Sequence, residues 1–409
     1  MFLFSFIVAL KSPVVLLPPF FGTNLWATYN NSNLPWYCPK SENDKLIWIS
    51  SSYMLPFKMN CLFKLASTFI DENGNITNWP NTTIHIHDFG GDESTRYVVH
   101  ADFINKKFAP LLTNFIDHYT RLGYVMKKDL FVAPYDWRLA PTFSDAFWPE
   151  FKNLIEKAYE TNEKEKITII GFSLGGYMAH HFLTNHCTQS WKDKYISQTI
   201  LVAPSFMGNV QMLYNIWVKR IPFASFIKSE PLDYCIENMP SVHSHIANEV
   251  VYKDFVAAVG PDGKEYKAGD LYGLLNDHLF TNNDTRRMFD RTQEIRKVAP
   301  KELGVKTTIL FNSGRKTAVL LNFSKGFNKT PVKVLGEGDG TMPAYGYRWV
   351  CKHFSNVTCI DFRSDSESYD HYPLMTNDRT ADIATNITLY NKIPDLEKHE
   401  KYFKINDEL

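Results

Sequence analysis

The chain has 409 residues, enough for one large hydrophobic core or two modest ones. Lys plus Arg and Asp plus Glu both total 44, so the formal net charge is zero and the basic surplus expected of a nucleic-acid partner is missing. Aromatic residues make up 15%, which suits apolar ligands. The six cysteines, Cys38, Cys61, Cys187, Cys235, Cys351 and Cys359, include no C-x-x-C pair, which argues against structural zinc; their even count fits disulfides in an oxidising compartment. N-x-S/T sequons begin at Asn30, Asn75, Asn81, Asn283, Asn322, Asn328, Asn356 and Asn386, a load that fits a glycosylated luminal protein.

In chain order, Met1 to Leu10 is almost continuously apolar and reads as the h-region of a signal peptide, 1–11; the alternative is a buried first strand. No other stretch is long and uncharged enough to span a membrane. Pro13-Val-Val-Leu-Leu17 predicts a buried strand running into the turn Pro18-Pro-Phe-Phe-Gly22. Residues 36–62 gather Trp36, Tyr37, Trp48 and Phe57 without a clean period around Cys38 and Cys61, whose separation suits a disulfide-closed loop. Ile104 to Tyr119 follows helical spacing, with a kink expected at Pro110. Leu130 to Ala133 is a short strand leading into Pro134-Tyr-Asp-Trp-Arg138, and Phe147 to Ala158 is an amphipathic helix.

The run Ile167-Thr-Ile-Ile170 then enters Gly171-Phe-Ser-Leu-Gly175, after which Leu174, Met178 and Phe182 recur at one helix face. Strand, G-x-S-x-G and helix in that order are the context a nucleophile elbow requires. Ser197 to Ala203 is a further strand. This βα alternation predicts a parallel sheet covered on both faces. From Met207 to Leu303 the alternation is lost, and a mostly helical cap is expected. Sheet-like runs return at Lys306 to Phe311, Val332 to Leu335 and Val357 to Phe362. Asp395 to Glu400 reads as a solvated tail helix, and Asn406-Asp-Glu-Leu409 looks like a variant of the K/H-D-E-L retrieval signal. The expected organisation is a core from 12–35, 63–206 and 304–390, a disulfide-closed loop at 36–62, a cap at 207–303 and a charged tail at 391–409.

A serine hydroxyl becomes a nucleophile only when a base takes its proton, and the base needs an orienting acid. The order Ser, acid, His leaves His353, His371 and His399 as bases for Ser173. His371 is preferred because it follows a polar loop after the last strand, whereas His353 falls in a helical stretch and His399 in the charged tail. Asp339, in Gly336-Glu-Gly-Asp-Gly340 after a strand, is the preferred acid, with Glu337, Asp361 and Asp370 in reserve. The oxyanion donors are expected from the backbone N–H groups of Leu174 and of Phe20 or Phe21, Phe20 preferred, since Pro19 has none. Asp136 and Arg138, two opposite charges following a strand, are read as a structural ion pair rather than a catalytic one. His85-Ile-His-Asp88 raises a metal-dependent hydrolase, but a lone H-x-H is usually a strand surface; no metal and no cofactor is expected.

These pieces together resemble the lecithin:cholesterol acyltransferase family, which includes lysosomal phospholipase A and phospholipid:diacylglycerol acyltransferases. The carrying segments are Pro13 to Leu25, Ala133-Pro-Tyr-Asp-Trp-Arg138, and Ser173, Asp339 and His371 in triad order. The resemblance implies an α/β-hydrolase fold with an inserted cap, and makes the Cys38–Cys61 segment a disulfide-closed membrane-binding loop with Trp36, Trp48 and Phe57 as lipid contacts. It implies a peripheral lipid or lipoprotein-like surface, a phospholipid acyl donor, a sterol, diacylglycerol or water as acceptor, and a place in the secretory pathway. The chain departs from the family in Phe172, where His is usual, in Pro19, where Gly is usual, and in lacking a cysteine near Leu310 to partner Cys351. Cys351 then pairs with Cys359 or stays free, and Cys187 with Cys235 is an unassigned pair. The expected activity is O-acyl transfer from a glycerophospholipid through an acyl-serine, with phospholipase A as the alternative and an inactive lipid carrier as the third reading.

Overall fold

A computed structural model describes residues 11–55, 57–101, 106–220, 229–280 and 282–403. The apolar leader and Asn406 to Leu409 lie outside these residues.

Seven strands make the central sheet: Val14–Leu17 (β1), Leu130–Val132 (β2), Ile167–Phe172 (β3), Ile196–Val202 (β4), Thr307–Phe311 (β5), Val357–Asp361 (β6) and Lys401–Phe403 (β7). Their spatial order is β2-β1-β3-β4-β5-β6-β7, all parallel except β7, which runs antiparallel to β6. β1, β2, β3 and β5 are buried at every position, as continuous apolar runs are when helices cover both faces of a parallel sheet. This is an α/β-hydrolase fold.

From β1 the chain moves to one side to form β2 and then returns to the other side of β1 for β3. The strand order therefore reverses at β1, and the crevice beyond the carboxyl ends of β1 and β3 is where ligands bind in such sheets. Right-handed crossovers put the helix Thr113–Arg121 on one face and the helices Phe147–Thr161 and Leu174–His181 on the other. The helix Asp378–Tyr390 joins the first face, where Tyr119 Oη and Thr388 Oγ1 are 2.8 Å apart.

Four features differ from the sequence expectation. The helix predicted over 104–119 begins only at Thr113; Lys106–Pro110 is a strand paired with Tyr97–Ala101, and Pro110 ends that strand instead of kinking a helix. The described residues of 207–303 hold five α-helices but also two strands, Val256–Val259 and Glu265–Lys267. These form a four-stranded sheet with Arg315–Asn322 and Val332–Gly338, so the run starting at Val332 belongs to this smaller sheet and not to the central one. The tail forms no helix over 391–400: Asn391 closes the preceding helix in the left-handed region (φ 52°), Pro394 follows, and Glu400 turns inward onto Arg379.

Cys38 and Cys61 are joined, as are Cys351 and Cys359. The second bridge ties the helix Ala344–His353 to β6. Cys187 and Cys235 do not pair; both are free thiols, Cys235 in the cap helix Glu230–Glu237 and Cys187 after the helical segment Phe182–His186 of the core.

Candidate active site

β3 delivers Ser173 into a sharp turn (φ 51°, ψ −112°), a strained conformation for a residue with a Cβ. The turn closes because its flanks are glycines. A Cβ on Gly175 would stand 2.2 Å from the Leu17 carbonyl oxygen of β1, and one on Gly171 would stand 2.7 Å from that of Gly175. Either would push the elbow away from the sheet.

Ser173, His371 and Asp339 come together in one hydrogen-bonded line. His371 Nε2 lies 2.9 Å from Ser173 Oγ, and His371 Nδ1 lies 2.8 Å from Asp339 Oδ2. With Nδ1 donating to the carboxylate, Nε2 is left as acceptor for the serine hydroxyl. Asp339 is fully buried and held from several sides. Its Oδ1 accepts from the N–H groups of Thr341 (3.0 Å) and Met342 (2.7 Å), and its Oδ2 also accepts the Tyr347 hydroxyl at 2.9 Å. The backbone closes the same loop, His371 N–H donating to the Asp339 carbonyl at 2.7 Å. Burial, and then the neighbouring carboxylate, hold the Tyr347 phenol well above its ordinary pKa, so it stays a donor.

The reserve acids are engaged elsewhere. Glu337 pairs with Arg348, Asp370 with Arg315, and Asp361 accepts from the N–H and hydroxyl of Ser313. His353 bonds the Trp349 carbonyl on its own helix, and His399 is half-exposed beside Glu397. Tyr347 was missed by the sequence reading. The available signal was a tyrosine one turn into the helix Ala344–His353, which Pro343 precedes directly after the acid's turn.

At the end of β1, Pro19 to Gly22 forms a tight turn with Gly22 N–H on the Pro19 carbonyl (2.9 Å) and Phe21 at φ 63°. That bond leaves the Phe20 N–H outside the turn. Leu174 is the first residue of the following helix, so its N–H has no acceptor within the helix. The segment 133–138 braces this turn. Tyr135 donates its hydroxyl to the Pro18 carbonyl (2.6 Å), Trp137 Nε1 donates to the Thr23 carbonyl (2.9 Å), and the Trp137 ring meets Phe20 edge-on at 5.5 Å. Arg138 is buried and grips Asp136 through Nε (2.9 Å) and Nη2 (2.6 Å), while Nη2 also donates to Asn78 Oδ1 at 2.7 Å. Asp136 and Arg138 thus form an ion pair that holds the bracing segment.

Behind Ser173, Ser205 N–H donates to the Ser173 carbonyl (3.3 Å), and the Ser205 hydroxyl is 2.7 Å from His245 Nε2. Burial lowers the His245 pKa to about 4, so the ring is neutral and accepts from Ser205. Phe172 is fully buried, its ring edge-on to Phe115 at 4.7 Å under the helix Thr113–Arg121. The residue that stands where the family has His therefore packs into the sheet face.

In the disulfide-closed segment, Trp36 is 88% exposed and Phe57 75%, with Met54 and Leu55 also exposed. Trp48 is a correction: it is only 2% exposed, its Nε1 donates to the Phe21 carbonyl at 3.0 Å, and its ring stacks on Phe21 at 4.9 Å. It lies on β-structure paired with Leu25, which turns it inward to line an apolar cavity with Phe20, Phe21 and Trp137. His85 and His87 serve separate partners, Thr28 at 3.0 Å and Asp44 at 2.8 Å, with His87 stacked on Trp26. Among the described residues no helix is long and apolar enough to cross a membrane.

An elbow at the switch point of a parallel sheet, with acid and imidazole returned by later loops, defines a protein of the α/β-hydrolase fold. The family model described as lecithin:cholesterol acyltransferase matches residues 44–256, just over half of the chain. The chain belongs to that family and is an enzyme of its acyltransferase and phospholipase A class. It is 28% identical over 338 residues to phosphatidylcholine-sterol acyltransferase of Mus musculus, covering 81% of this chain and 74% of that one. It is 25% identical to lysosomal phospholipase A and acyltransferase of Bos taurus (81% and 80% covered), and 24% identical to lecithin-cholesterol acyltransferase-like 1 of Arabidopsis thaliana (81% and 80%). Among solved structures, a chain of the Tle4-Tli4 complex matches at TM-score 0.48 and 10% identity, covering 90% of this chain and 96% of that one.

Proposed function

We propose that this chain is a serine-dependent lipid O-acyltransferase that takes an acyl group from a glycerophospholipid and passes it to a lipid alcohol. The observation that carries the reading is the line Ser173 Oγ, His371 Nε2, His371 Nδ1, Asp339 Oδ2. Ser173 Oγ attacks the ester carbonyl carbon while Nε2 takes its proton. Asp339 keeps Nδ1 protonated and stabilises the imidazolium that forms. The Phe20 and Leu174 N–H groups stabilise the oxyanion, and the turn that presents Phe20 is held rigid by Tyr135 and Trp137. The C–O bond to the glycerol breaks, and the leaving alkoxide takes the proton from Nε2. The acceptor hydroxyl then gives its proton to Nε2 and attacks the acyl-serine; the acyl–Oγ bond breaks, and Nε2 returns the proton to Ser173 Oγ.

Trp36 and Phe57, with Met54 and Leu55, are the surface that touches the lipid aggregate. Two disulfides support a place in the secretory pathway.

The test uses wild type and Ser173→Ala on phosphatidylcholine vesicles carrying a labelled sterol or diacylglycerol, with free fatty acid and acylated acceptor both quantified, beside a fluorophosphonate label. Acylated acceptor and label in wild type alone are the expected results. Free fatty acid without acylated acceptor makes the enzyme a phospholipase, and a wild type with neither product nor label is a lipid carrier.

A further inference from the structure

Beside the acid loop lies a second cleft, of about 780 Å³ and polar in character. Gly340 and Thr341, which directly follow Asp339, form one wall, so the cleft borders the loop that carries the acid. Three cations line it: Arg220, Lys329 and Lys333. No carboxylate lines it among the described residues.

The neighbouring charges sharpen the contrast. Lys219, adjacent to Arg220, is neutralised by Glu237 at 2.7 Å, whereas Arg220 Nη1 donates to the Lys219 carbonyl at 3.0 Å and has no carboxylate partner among the described residues. Lys333 donates to Gln211 Oε1 at 2.9 Å and sits 4.0 Å over the Tyr214 ring. Lys333 is half-buried, and burial holds its pKa below the ordinary range. Asn215 and Arg220 line both this cleft and the apolar cavity beneath Phe20 and Phe21. The two spaces therefore meet at Arg220, one suited to acyl chain and the other to an anion.

We infer that this cleft binds the headgroup of an anionic glycerophospholipid: the phosphodiester pairs with Arg220 and Lys333, and a headgroup without its own cation escapes repulsion by Arg220, Lys329 and Lys333, so that the preferred acyl donor carries net negative charge. A choline headgroup fits poorly: its quaternary ammonium would meet three like charges, and the Tyr214 face that could receive it is already occupied by Lys333. The inference rests on the acyl-transfer reading above and specifies its donor.

The test uses short-chain lipids dissolved as monomers, which removes attraction to a charged vesicle. Wild type should show kcat/KM for dihexanoylphosphatidylglycerol at least ~10-fold above that for dihexanoylphosphatidylcholine, the scale of one partly screened repulsion between like charges. Arg220→Gln and Lys333→Gln should each remove most of that ratio through KM, since headgroup binding is made in ground and transition state alike. Lys352→Gln, an exposed lysine outside the cleft, should keep it. All proteins carry Asn328→Gln, because that sequon stands on the rim of the cleft. Equal turnover of both lipids, or a ratio that survives both substitutions, overturns the inference and leaves the acyl-transfer reading intact. If no lipid is turned over, that reading fails, and calorimetry on Ser173→Ala judges the cleft alone. Binding of dihexanoylphosphatidylglycerol that Arg220→Gln abolishes supports the headgroup site. Absent binding, or inorganic phosphate binding as strongly as the lipid, overturns it.

Discussion

Tyr347 and His371 donate to the same oxygen of Asp339, the phenol at 2.9 Å and the imidazole at 2.8 Å. The other oxygen takes two backbone N–H groups, so the carboxylate has no freedom to turn away from the imidazole. Tyr347→Phe should lower kcat on a soluble ester about 10-fold with KM little changed, the scale of one hydrogen bond to a charged group. A kcat equal to wild type would mean that the backbone donors alone orient Asp339.

The aromatic residues of the disulfide-closed segment should separate into two behaviours. Trp36→Ser and Phe57→Ser, at exposed positions, should change folding stability by less than about 0.5 kcal/mol while weakening vesicle binding. Trp48→Ala should cost about 3–5 kcal/mol of stability by emptying a buried site. Denaturation midpoints and vesicle co-sedimentation on the same three proteins check the contrast, and vesicle binding that survives in both serine variants would remove the loop from the lipid-anchoring role.

Restoring the family's residue should not improve this enzyme. Phe172→His would place an imidazole against Phe115 in a fully buried apolar niche, leaving polar nitrogens without partners at a cost of about 1–3 kcal/mol. Activity per folded molecule should stay near wild type, because the side chain faces the sheet's covering helix. Titration of active serine with fluorophosphonate gives the folded fraction, and a changed turnover per titrated site would show that position 172 communicates with the site.

Stability should fall with acid in a defined window. Burial lowers the pKa of His180, His243 and His245 to about 4 in the folded protein, against about 6.5 when unfolded. Below about 6.5 the unfolded chain therefore binds more protons than the native one, and each histidine removes up to ~1.4 kcal/mol per pH unit until about pH 4. Above about pH 7 all three are neutral in both states and contribute no slope. Denaturant titrations across this range should show the decline, and His180→Gln should reduce its steepness. A flat profile would mean that these rings are charged when folded.

The elbow could be read in the sequence because its signals are local: an apolar β-branched run, two glycines that allow the close approach to Leu17, and helical spacing afterwards. Chain order narrowed the base to His353, His371 and His399, and the polar loop after the last strand favoured His371. Trp48 could not be read correctly, because in a stretch without period nothing local says which way a side chain faces; its pairing partner Leu25 decides that. The four-stranded sheet was hidden for a related reason. Val256–Val259 is four residues long and finds its partner at Leu321 and Asn322, across a helical excursion. Tyr347 was legible as a helix residue but not as an acid partner, because its reach depends on how that helix packs.

The edge strand β7 has a consequence for handling the protein. β7 covers the open side of β6, whose sequence Val-Thr-Cys-Ile-Asp is apolar and β-branched. A version cut back to Pro394 would keep every residue assigned to the chemistry, yet it would bare that row of unpaired backbone groups to solvent. Such a truncation invites self-association through strand addition, and a charged residue facing outward from β6 would be the remedy.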